Sequence, residues 1–139
     1  MTWAFNDTLR NNRVQQIGLA IDSGTTNPAG TIRFYDGVQP AKGGAATTLL
    51  AECEFQNPSF PAPVAGVATA NAVTSEASAP APSPLVATWA RIVDRDGAFV
   101  MDGTVGLTGS GADVEIDNTT IAPGQTVNVT LVRFTDGNA

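Results

Sequence analysis

The chain has 139 residues and no histidine, so any chemistry must come from carboxylates, hydroxyls, a single lysine, six arginines and a single thiol. Imidazole acid–base catalysis, Ser-His-Asp and Cys-His nucleophiles and His-ligated metals are thereby excluded. Cys53 stands alone, so neither an intrachain disulfide nor a Cys-rich zinc site can form. Its place in an alternating apolar run marks a buried structural thiol. Asp94-Arg95-Asp96-Gly97 has the opening of a calcium loop, yet the twelfth residue counted from Asp94 is Val105 and not an acid. A hairpin turn is expected there instead. Asp113, Glu115 and Asp117 alternate along one face of a strand. That face is expected to be solvated, offering at most a weak cation site or a contact with a basic partner. No metal, cofactor or catalytic residue is assigned.

Asp22-Ser23-Gly24-Thr25-Thr26-Asn27 follows an apolar pair, Ala20-Ile21. In those letters it resembles the active-site loop of pepsin- and retropepsin-like aspartic proteases. That resemblance implies two aspartates sharing a proton, which one short chain supplies only as a homodimer with Asp22 beside its own copy. Asp-x-Gly-Thr-Thr-Asn is also similar to the first phosphate loop of actin-like ATPases, whose two lobes need more than twice this length. Asp22 follows a helical pattern and not a strand, so a helix-terminating turn is the expectation.

The elements that hold these residues are mainly β. From Asp7 to Ile21 the apolar residues Leu9, Val14, Ile17, Ala20 and Ile21 fall on one helical face, with Asn6 or Asp7 as N-cap. The period then changes to 2, and strands are expected over 31–35, 49–55, 64–73, 85–94, 98–101, 104–107, 113–117 and 126–134. About eight short strands and one N-terminal α-helix predict an antiparallel β-sandwich or jelly roll. Residues 1–139 are expected to form a single domain, with an arm and helix over 1–22. Residues 74–84, rich in Pro, Ala and Ser, read as a solvated loop of polyproline character. The core is expected around Trp89, with Phe34, Phe55, Ile92, Val100 and Phe134 as neighbours.

Composition narrows the function. Apolar residues make up 42% and charged residues only 14%, with 13 acidic against 7 basic side chains and a net charge of −6. Six arginines and one lysine spread over the whole length make no basic stripe, so nucleic acid is not an expected partner. No run of about 18 apolar residues could cross a membrane as a helix. The N-terminus has neither the basic region nor the apolar run of a secretory signal, so a protein made and kept in a cytoplasm, or assembled there, is expected.

Seven segments occur in a telling order. They are Ile32-Arg33-Phe34-Tyr35-Asp36-Gly37, Pro40-Ala41-Lys42-Gly43-Gly44, Thr48-Leu49-Leu50-Ala51-Glu52, Gly66-Val67-Ala68-Thr69-Ala70-Asn71, Ala87-Thr88-Trp89-Ala90-Arg91-Ile92, Met101-Asp102-Gly103-Thr104-Val105-Gly106 and Ile121-Ala122-Pro123-Gly124-Gln125. Over residues 7–135 the chain resembles a family of small tailed-bacteriophage virion proteins encoded among the head genes. Related head proteins of this size include capsid decoration, or cement, proteins with jelly-roll folds. The resemblance implies a non-enzymatic structural protein on the capsid exterior, assembled in the bacterial cytoplasm. Its partners would be the major capsid protein and further copies of itself, as a dimer or trimer. A head–tail connector, tail or fibre component is the alternative within the structural class, and the Asp22 protease the enzymatic one. Trp3 and Phe5 in the arm, and Pro80, Pro82 and Pro84 in the loop, are the expected contact residues.

Overall fold

Helix α1 (Asp7–Ile21) begins where Asn6 Oδ1 accepts the Leu9 N–H at 2.8 Å, satisfying one of the donors that a first turn leaves open. It ends at Asp22, whose N–H bonds Gly18 O at 3.0 Å. Val14 and Ile21 are buried and Ile17 packs on the core, whereas Leu9 lies on the solvent side. The computed structural model describes residues 3–137. After the helix come β1 (Thr31–Tyr35), β2 (Leu49–Glu54), β3 (Val67–Thr69), β4 (Leu85–Val86), β5 (Trp89–Val93), β6 (Phe99–Leu107), β7 (Val114–Ile116), β8 (Thr120–Ile121) and β9 (Val129–Thr135).

The fold is mainly β with one helix, as the patterning predicts. Seven strands form one sheet in the order β2-β1-β5-β6-β7-β9-β3, and β4 pairs with β8 in a small second sheet. Register shifts opposite Phe34/Tyr35, at Ile92/Val93 and at Glu115/Ile116 insert bulges, which add twist and let the large sheet curl. The sheet is mixed, because β6 runs parallel to β7 while its other pairings are antiparallel.

Several strand limits differ from the sequence expectation. The run 85–94 is two strands. Leu85–Val86 pairs with β8, the chain changes sheet at Ala87, and Trp89–Val93 joins the large sheet. The expected strands 98–101 and 104–107 are one continuous β6, because β5 pairs its first part and β7 its last three residues. The expected strand 64–73 shrinks to Val67–Thr69, since Val64 and Val67 bond each other across a tight reversal at Ala65-Gly66, both at positive φ.

The core lies on one face of the large sheet. Ile32 and Phe34 of β1, Ala51 and Cys53 of β2, and Ala90 and Ile92 of β5 point into it. Phe55 is buried there too, with Val100 and Phe134 at its margin. Trp89 is not its centre, which corrects the sequence expectation. Trp89 is only 1% exposed, but it belongs to the opposite face of β5 from Ile92. There its ring stacks on Tyr35 at 4.5 Å, and Nε1 donates to Asp36 O at 3.0 Å. The loop 36–48 covers this second face, with Gly44 O accepting Arg91 Nη2 at 2.9 Å.

Candidate interaction surface

The structure joins two sequence motifs into one interlock. The turn after α1 and the β5–β6 turn bond each other through Asn27 N to Arg95 O and Arg95 N to Ser23 O, both 3.0 Å. Asp96 Oδ1 accepts the N–H groups of Thr25 and Thr26, each at 2.8 Å. The Thr25 N–H, followed by the bonds from Thr26, holds the Asp96 carboxyl below the usual carboxylate range. Asp94 Oδ1 accepts from Asp96 N and Ala98 N at 2.9 and 2.8 Å. The carboxylates of the calcium-like motif therefore serve the protein's own backbone, and the segment is the expected hairpin turn. Asp22 caps the helix, and its two oxygens lie 3.0 and 3.1 Å from Ser59 N.

The acidic alternation at 113–117 is not a uniformly solvated face. Glu115 is only 5% exposed, which corrects that expectation. Its carboxylate accepts from Gly109 N at 3.0 Å and Gly111 N at 2.9 Å. Those two N–H groups hold its pKa down, the Gly109 bond most strongly. The geometry has a purpose. Parallel strands usually need a crossover of about a dozen residues or more. Here residues 108–113 alone return the chain from β6 to β7. Gly109 and Gly111, at φ +85 and +82, allow the reversal, and Glu115 clamps it. Asp113 turns to Thr104 N at 2.8 Å, and Asp117 pairs with Asn128 Nδ2 at 2.7 Å. Among the described residues no three acidic or thiol groups gather where they could hold a metal ion.

On the second sheet face, residues of four strands fall in one row. Arg33 pairs with Glu52 and lies opposite Arg91, which makes a bidentate pair with Asp102 at 2.8 and 2.9 Å. Two facing arginines would repel, but each has a carboxylate on its outer side. The Asp102 hydrogen bond raises the Arg91 pKa further. Sequence reasoning missed this row. Its signal is the Arg-x-Tyr of β1 and the Trp-x-Arg of β5, which place an arginine and an aromatic residue on one face of each strand. Cys53 faces the core, and burial pushes its thiol up to about 11.

The expected contact residues are set on different supports. Trp3 is 71% exposed. Phe5 is half-buried, with the Arg13 guanidinium 5.1 Å from its ring centre, so it leans on the helix. The 74–84 segment is largely exposed, as expected, but it is pinned to the core as a strap. Glu76 bridges Val127, Ala79 N bonds Gln125 O at 2.9 Å, and Gly124 N bonds Ala79 O at 2.9 Å. Ala79 and Ala81 are buried in the core while Pro80, Pro82 and Pro84 face outward. The small alanines let the strap lie close, and proline, which has no N–H, loses nothing on the open side. No protein-family model, curated protein or solved structure matches the chain.

Proposed function

We propose that this chain is a non-enzymatic structural protein of a tailed-bacteriophage virion. In this reading it is a capsid decoration protein that binds the outer capsid surface and stabilises contacts between capsomers. The observation that carries the reading is the strap, which presents Pro80, Pro82 and Pro84 outward from a backbone already fixed by buried Ala79 and Ala81. A contact element ordered before binding loses little entropy on binding. The exposed indole of Trp3 adds a residue type enriched at binding hot spots. The ordered set of segments from Ile32 to Gln125 supports a virion protein. The net charge of −6 disfavours a position against packaged DNA and favours the exterior. The major capsid protein and further copies of this chain, as a dimer or trimer on a symmetry axis, are the partners. Weak contacts repeated by symmetry then sum to firm attachment.

Co-sedimentation of the purified protein with empty capsids tests this reading. Binding should persist at high salt, because apolar contacts are not screened. Deleting residues 1–5, or replacing Pro80, Pro82 and Pro84 together by serine, should weaken it while circular dichroism stays unchanged. Absence of co-sedimentation rejects the reading. Full-strength binding by both variants places the anchor elsewhere. Copy number in purified particles separates a capsid position from a tail position.

A further inference from the structure

We propose that the groove between α1 and the 58–63 segment is a socket for an arginine or lysine side chain of a partner protein other than a second copy of this chain. The groove offers about 190 Å³, well above the roughly 10–15 Å³ that a single water needs. Val14, Leu19, Phe60, Pro61 and Pro63 give it apolar walls, and Asp22 lines it at the helix end. Gly18 lines it too, and a Cβ there would meet Phe60 Cβ at 3.5 Å, an ordinary contact that takes up part of the groove. The proposal rests on the reading above only in taking the partner to be a protein.

Charge selects the occupant. Asp22 sits at the C-cap of α1, where unpaired carbonyls form the negative end of the helix dipole, and the last turn carries no basic residue. Among the described residues Asp22 makes no ion pair. Its carboxylate takes one N–H, from Ser59, which leaves most of its lone pairs available. An anion would be repelled here, and a purely apolar ligand would strip water from the carboxylate with nothing in return. A long cationic side chain satisfies both parts. Its methylene stem lies along the prolines and Leu19, and its head reaches Asp22.

An amide NMR titration of the full chain with N-acetyl-arginine-methylamide at low salt tests this. Saturable shifts are expected at Gly18, Leu19, Asp22, Ser59 and Phe60. N-acetyl-citrulline-methylamide, which has the same shape without the charge, should bind about tenfold more weakly, as should the arginine probe to Asp22→Asn. Gly18→Ala should also weaken binding, while its thermal midpoint stays level or rises because Ala favours the helix. That variant keeps the test decisive if Asp22→Asn does not fold. No saturable shift, equal affinity for the two probes, or unchanged binding by Gly18→Ala overturns the proposal. Shifts of the same amides with protein concentration alone would identify a second copy as occupant and also overturn it. The titration needs no capsid, so its failure leaves the co-sedimentation result standing, and the reverse holds.

Discussion

Asp96 accepts the backbone N–H of Thr25 at 2.8 Å across 71 residues of chain. This bond, with its partner from Thr26, fastens the end of the helix to the β5–β6 turn. Gly24 makes the approach feasible. Its φ is +106, and a Cβ on it would lie 2.7 Å from the Asp96 carboxyl carbon. Gly24→Ala should therefore cost about 1–3 kcal/mol in urea unfolding, from backbone strain and the displaced carboxylate. A variant as stable as the parent would show that the turn relaxes freely.

Acid should loosen the two clamped turns. The Asp96 and Glu115 pKa values are both lowered in the folded state by backbone N–H donors. A depressed carboxyl pKa contributes stability above its unfolded value, about 3.9 for Asp and 4.3 for Glu, and that stability is lost as pH falls through the folded value. Urea midpoints should thus be level near neutrality and fall below about pH 4. Glu115→Gln should flatten part of that fall and speed amide exchange at Gly109 and Gly111. An identical pH profile in the variant would remove Glu115 from the account.

The two tryptophans should separate in fluorescence. Trp3 is exposed, and Trp89 is enclosed by Tyr35, Arg91 and the 36–48 loop. Iodide should quench one component, which Trp3→Phe removes. Trp89→Ala should cost about 3–5 kcal/mol, the range for truncating a buried large aromatic. Ready quenching of the Trp3→Phe protein would mean that the loop does not cover Trp89.

Cys53 should be inert while the protein is folded. Its thiol is buried and its pKa is raised to about 11, so little thiolate exists at pH 8 and reagent cannot reach it. Ellman's reagent should react only as fast as the protein opens, and immediately in denaturant. Rapid labelling of the native protein would contradict the burial of β2.

Local chemistry alone determined much of this protein. The Asn6 cap, the spacing of Val14, Ile17 and Ile21, and the turn at Asp22 place α1 at the limits that the patterning predicts. Alternation places β1 and β2, because side chains on a strand change face at every residue. Turn residues place the Asp94-Gly97 hairpin.

Tertiary structure decided the rest. Alternation tells which residues share a face but not which face becomes the core, and here both faces of β5 are covered. Ile92 therefore took the core and Trp89 the second face. Strand partners are set by pairing over long distances in sequence, so the division of 85–94 between two sheets and the joining of 98–107 into β6 lie outside any local window. The same reason hides the strap. Alternating Ala and Pro reads as a loop free of the core until Val127 and Gln125 arrive to bond its backbone and the core accepts Ala79 and Ala81. Whether a carboxylate such as Asp96 or Glu115 faces water or caps a turn depends on donors that only the folded chain brings within 3 Å.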